Sequence, residues 1–125
     1  MTNLKPFSRR PIVVTDAQQS VARWMKGLEA FRAIGPTMQT QLVYTFLLVA
    51  THEGISASEI TERSGFRQST TSRHLRDLGR RNRIKQPGYD LVEPHIDEND
   101  SRRRFYTLTP KGRELFGQIA KIMEH

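Results

Sequence analysis

One glycine, Gly65, stands between two short helical patterns, and that junction constrains the fold more than any other feature of the chain. Before it, "ISASEITERSG" offers Ser56 or Ser58 as a helix cap, Ile60 as a buried position and the glycine itself as a C-terminal stop. After it, "RQSTTSRHLRDLGRR" carries apolar residues at helical spacing and predicts a helix over about 68–81. Arg67 fills the cap position of that helix, where Ser, Asp or Asn is usual. Two short helices joined through such a turn make a helix-turn-helix, here over about 56–82. Next, "NRIKQPGYD" is a loop with Pro87-Gly88 as its turn signal, and "LVEPHI" and "RRFYTLT" read as two strands around the turn-rich "DENDS". The hairpin is a wing over about 89–109. The expected class is mainly α with a small β-hairpin (α+β), a winged helix-turn-helix.

Helices flank this unit. Residues 1–14 read as a flexible basic arm with Lys5, Arg9 and Arg10, and residues 15–125 as a single domain. Thr15 or Asp16 caps a helix over about 16–34, with Gln18 and Gln19 placed for a capping box and Gly35-Pro36 as its end. Val21, Trp24, Met25, Leu28 and Phe31 form one apolar stripe on it. A helix over about 37–51 is apolar on most sides and reads as the central core helix. The last helix, about 110–124, starts at Pro110 and carries Leu115, Phe116, Ile119, Ile122 and Met123 on its apolar side.

The charge is as uneven as the pattern. Net charge is +7, and between Arg63 and Lys85 eight bases face Asp77 alone, so this stretch holds the whole excess. Successive helical residues rotate by about 100°. With Leu75 as reference, Thr71, Leu78 and Asn82 fall inward, while Ser69, Arg73, Arg76 and Arg80 form one outward stripe flanked by Thr70, His74 and Asp77. Small hydroxyl residues at a helix start let its backbone approach base edges. Arginine can take guanine O6 and N7 with two hydrogen bonds, and cations further along meet phosphates. The bland alternative is a solvated helix with ordinary Arg–Asp pairing. At the hairpin tip, Asp97, Glu98 and Asp100 precede Arg102, Arg103 and Arg104. A tip arginine suits a narrow minor groove, and an acid beside it can orient its guanidinium. Read by themselves, these mixed charges fit a solvated hairpin equally well.

Other chemistries lack their residues. There is no cysteine, which excludes disulfides and thiolate chemistry. His52, His74, His95 and His125 have no metal-ligand spacing, and Asp97-x-Asn99-x-Ser101 lacks the glycine and closing glutamate of a calcium loop. Neither a glycine-rich phosphate loop nor a nucleophile elbow is present. No cofactor, metal or enzymatic activity is expected. The longest apolar run, "LVYTFLLVA", is far below a membrane span, and the N-terminal apolar run is too short for a signal peptide, so the expected compartment is cytoplasmic.

At this level of detail the chain resembles the MarR family of bacterial transcriptional regulators. The resemblance rests on Glu59-Ile60, Gly65, the "S-T-T-S-R-x-L-x-x-L" run from Ser69 to Leu78, the Asp100-x-Arg102 unit and the strand ending "LTPKGR", and covers about 17–119. It implies a recognition helix in the major groove and a wing arginine in the minor groove, roles that fall on Ser69, Thr70, Arg73 and Arg102. It also implies a homodimer joined through the terminal helices, with Trp24, Leu28, Phe31, Leu115, Ile119 and Ile122 as candidate surface or as monomer core. Two departures are the long linker, which either shifts the wing or adds a basic loop with Arg83 and Lys85 contacting phosphates, and a short C-terminal helix, which implies weaker or rearranged dimer contacts.

The expected function is a sequence-specific regulator of transcription, a repressor, binding a pseudo-palindromic site in double-stranded DNA. Its candidate contacts are Gln68, Ser69, Thr70, Arg73, His74, Arg76, Arg80, Arg102, Arg103 and Arg104. The alternative is a winged-helix interaction module whose basic helix binds an acidic protein.

Overall fold

A computed structural model describes residues 3–81 and 86–124. Its elements are α1 (Asp16–Ile34), α2 (Thr40–Thr51), β1 (Ile55–Ser56), α3 (Ala57–Ser64), α4 (Gln68–Leu78), β2 (Val92–Ile96), β3 (Arg104–Leu108) and α5 (Pro110–Met123). The expected positions of Asn82, Arg83 and Lys85 lie outside the described residues.

Reciprocal caps start two of the helices. Thr15, not Asp16, caps α1: its hydroxyl accepts from the Gln18 N–H at 3.1 Å, and Gln18 Oε1 accepts from the Thr15 N–H at 2.9 Å. Ser56, not Ser58, caps α3 in the same way with Glu59. Those bonds to Ser56 hold the Glu59 carboxyl below the usual carboxylate range. Gly65 ends α3 at φ 74°, a left-handed conformation that glycine adopts without a Cβ penalty. α2 starts at Thr40 rather than near 37, because the chain first makes a turn closed by the Met38 N–H on the Gly35 carbonyl at 3.0 Å.

The wing is a three-stranded antiparallel sheet in the order β1-β3-β2. The hairpin β2–β3 is as expected; the third strand, which pairs Ile55 with Tyr106 and Ser56 with Phe105, is not. The turn before β1 is fastened to β3 by Glu53, whose carboxylate accepts from the Leu108 N–H at 2.8 Å and from Arg113 Nη1 at 3.0 Å. The Leu108 bond, with help from Arg113, lowers the pKa of Glu53. One side chain thereby ties the end of α2 to β3 and α5.

Phe46, Val49, Ile60, Leu78, Leu91 and Val92 are the most deeply buried apolar side chains. Phe31 packs edge-on against Phe46, with ring centroids 5.5 Å apart. Two residues expected at a dimer surface belong to this core: Phe31 is 4% exposed and Leu115 2%. The α1–α5 contact and the α2 ring stack bury them within the monomer.

α4 ends at Leu78, three residues short of the expected limit. The reason is the returning chain. The N–H groups of Tyr89, Leu91, Asp90 and Gly88 donate to the carbonyls of Asp77, Leu78, Gly79 and Arg80 at 3.0, 2.8, 2.9 and 2.9 Å. Carbonyls that a helix end leaves without partners are thus satisfied by another segment. The approach is close. A methyl group on Gly88 would collide with the Gly79 carbonyl oxygen and lie 3.0 Å from that of Asp77. Replacing Gly88 with Ala should therefore cost about 1–3 kcal/mol in chemical denaturation, as overpacking does. Gly117→Ala, on an α5 position with nothing within 4 Å of the added methyl, should instead raise stability by about 0.5–1 kcal/mol.

Candidate nucleic-acid interface

The face that α4 buries decides what its other face can present. Thr71, His74, Leu75 and Leu78 are buried. Leu75 and Leu78 supply the apolar anchor, and the other two are polar, each hydrogen-bonded to another helix. Thr71 Oγ1 accepts from Thr61 Oγ1 at 2.9 Å, which couples α4 to α3. His74 Nδ1 lies 2.9 Å from Thr45 Oγ1 on α2. Thr45 already donates its hydroxyl proton to the Gln41 carbonyl at 3.0 Å, so His74 Nδ1–H is the donor of the pair. The Phe66 ring packs edge-on against the imidazole at 5.6 Å.

His74 is thus a correction. It was expected beside the outward stripe and is 4% exposed. Measured from Leu75, the buried positions Thr71, Leu78 and His74 lie at about −40°, −60° and −100°, so the buried arc centres near −50° rather than on Leu75. His74 then falls inside it. Ser69, Arg73 and Arg76 lie within about 30° of the opposite direction, and all three are exposed.

Gln68 and Ser72 are exposed with them, and Thr70 is half-buried. The Arg67 side chain does not cap α4, so the first N–H groups of the helix stand open beside Ser69 and Thr70. Arg67, Arg73, Arg76, Arg80 and Arg81 are all exposed. Asp77 pairs with none of them: the ion pairs among the described residues are Arg102–Asp100, Arg113–Glu53 and a 3.8 Å His95–Glu93 contact. The arrangement is not a solvated helix of alternating charges. Arg63 is drawn out of the patch, donating to His52 Nε2 at 3.2 Å.

At the wing tip the acids shape the turn. Asp97 Oδ1 accepts from the Asn99 N–H at 2.9 Å. Asp100 Oδ1 accepts from the Arg102 N–H at 3.0 Å and from its Nε at 3.3 Å. The guanidinium is oriented by that carboxylate, yet the Arg102 side chain remains 90% exposed. The arginine triplet divides by direction. Arg103 lies over the Phe105 ring at 5.3 Å, on the outer face of the sheet. Arg104 shares the other face with Tyr106, Pro94 and Ile96, the face that runs inward to Val92 and Leu108.

The terminal helices leave an apolar stripe uncovered. Trp24 is 60% and Leu28 46% exposed, and Val21 and Met25 join them at helical spacing. Ile119 and Ile122 are half-buried on α5.

No family model matches the chain, and no curated protein matches its sequence. Solved structures do match its fold. An S. aureus MepR–DNA complex superposes with a TM-score of 0.63 over 86% of this chain and 78% of that one, at 21% identity. Streptococcus pneumoniae FabT in complex with DNA gives 0.58 over 87% and 75%, at 18% identity. A MarR transcriptional regulator from Methanosarcina mazei gives 0.60 over 86% and 73%, at 18% identity. The chain has the winged-helix fold of MarR regulators, with five helices and one small antiparallel sheet among the described residues, an α+β arrangement.

Burial, reinforced by the neighbouring Arg73 cation and opposed by Asp77, holds the His74 pKa below the ordinary histidine value. The folded protein therefore binds fewer protons at this site than the unfolded chain in the window below about pH 6.5. Stability from the neutral ring is complete above that window and is lost as pH falls through it. Denaturation midpoints of the wild type should drop across this range, and His74→Gln should flatten the slope there. The steeper acid loss through Glu53 and Glu59, which begins only near pH 4.5, should be unaffected.

Proposed function

We propose that the protein is a sequence-specific regulator of transcription that binds double-stranded DNA as a homodimer and acts as a repressor in the cytoplasm. The observation that carries this reading is the exposed face of α4, where Ser69, Arg73 and Arg76 point one way with no acid among the described residues paired to them. A helix of this kind, anchored by Thr71, His74, Leu75 and Leu78, fits the major groove. Its open N-terminus, with Gln68, Ser69 and Thr70, approaches the bases. Arg73 takes a guanine edge through O6 and N7. Arg102, held out by Asp100, enters the adjoining minor groove, whose narrow A·T tracts attract a guanidinium. Trp24, Leu28, Ile119 and Ile122 meet a second copy, setting two recognition helices about 34 Å apart on a pseudo-palindrome. MepR and FabT, solved with DNA, support the reading through shared fold.

Titration of mixed-sequence duplex DNA against salt tests it directly. Log affinity should fall linearly with log salt, with a slope implying about four or more neutralised phosphates per subunit. Failure to bind duplex at low salt would leave an acidic protein as the partner of the basic face.

Arg73→Ala should cost about 1–3 kcal/mol on a site selected from a random duplex pool and relax preference at one base position. Equal weakening on every sequence would make Arg73 a phosphate contact instead.

A further inference from the structure

Because α4 stops at Leu78, Arg80 and Arg81 do not continue the helical stripe. They stand on a segment held by the returning chain, with Arg81 bridged to Pro87. This turns them toward an open cleft of about 640 Å³ between α4 and the wing. Arg76, Arg80 and Arg81 line one side, and Arg104 and Tyr106 the other; no acid among the described residues lines it. None of these four guanidinium groups forms an ion pair or side-chain hydrogen bond among the described residues. The Tyr106 hydroxyl has no hydrogen-bond partner among them either. Burial of its ring raises the phenol pKa despite the nearby Arg104 and Arg76 cations, so the hydroxyl keeps its proton and can donate.

Four cations and one hydroxyl donor facing a common space suit an anion with several acceptor oxygens, and guanidinium groups match phosphate geometry. We infer that this cleft seats the sugar–phosphate backbone of the DNA strand that separates the groove read by α4 from the groove met by the wing. The donors are Arg76, Arg80, Arg81, Arg104 and Tyr106 Oη. The inference rests on the proposed DNA-binding function and deepens it. Arg76, Arg80 and Arg104 become backbone contacts, distinct from Arg73 at the bases and Arg102 at the wing tip. Arg81 and Tyr106 become part of the interface. The position favours a DNA phosphate over a free one: the cleft is open along its length, and it lies between the two elements that enter neighbouring grooves.

The test compares wild type, Arg81→Gln, Arg104→Gln and Tyr106→Phe on a cognate and an unrelated duplex, with circular dichroism confirming that each variant is folded. Each arginine variant should lower the magnitude of the salt slope by about 1 and weaken both duplexes alike. Tyr106→Phe should weaken both by about 2- to 10-fold, the range expected for one hydrogen bond, with the slope unchanged. If the wild type binds duplex DNA and the variants match it in slope and affinity, the backbone seat is wrong while the DNA reading stands. If the wild type binds no duplex, the DNA reading itself has failed. Calorimetry with inorganic pyrophosphate separates the sources. Binding that Arg81→Gln abolishes, alongside a DNA slope equal to wild type, would make the cleft a free-phosphate site and overturn the assignment.

Discussion

Four backbone hydrogen bonds from residues 88–91 to residues 77–80 fix how the wing leaves α4. Everything on the basic face depends on that junction. It stops α4 at Leu78, and it delivers Leu91 to the core beside Leu78 and Val92. It also passes the constraint onward. The Leu91 carbonyl accepts from the Thr109 N–H at 3.1 Å, and the Asp90 carbonyl from the Thr109 hydroxyl at 2.6 Å. Thr109 in turn caps α5 through the Gly112 N–H at 3.0 Å. One short segment thus joins the end of α4, the start of β2 and the start of α5. Two grooves of a duplex can be met at once only if helix and wing keep a set angle, and backbone bonds hold such an angle better than surface side chains.

The second constraint is polar. α4 is short and strongly basic on one side, so propensity alone holds it poorly. Its apolar anchor is Leu75 and Leu78; the rest of the buried face is Thr71 and His74, each bonded to a threonine on another helix. A hydrogen bond fixes rotation about the helix axis more sharply than an aliphatic contact, because its geometry is directional. That matters for a helix whose function depends on which residues face outward. The cost is a dependence on a neutral imidazole, with Arg73 one position away pushing the same group toward its neutral form.

Much of this architecture was legible in the sequence, for identifiable reasons. Gly65 and the hydroxyl caps are local signals, closed within a few residues; the structure selects Thr15 over Asp16 and Ser56 over Ser58, and adds Glu59 as the partner that closes the second box. β1 was not legible: a two-residue strand has no period, and its partner β3 lies about fifty residues further along the chain. The end of α4 was misjudged because Gly79, its C-cap, is followed by further basic residues, and the carbonyls at the helix end are taken by residues 88–91 folding back. His74 was misplaced because the angular reference was a single leucine, whereas the buried arc is set by all its members. Phe31 and Leu115 show the same limit from the other side. An apolar stripe says which face is covered, not whether the cover belongs to the same chain.

That last ambiguity has a structural consequence. With Phe31 and Leu115 spent on the monomer core, the uncovered apolar residues of α1 centre on its middle turns, at Val21, Trp24, Met25 and Leu28. These four occupy the i, i+3, i+4 and i+7 positions of one helical face. A two-fold contact built on them would place the symmetry axis near the middle of α1. In such a dimer the separation of the two α4 helices would be set by how α1 leans on α5, the largest helix–helix contact among the described residues. The packing that buries Leu115 would then bear on the distance between the two basic faces.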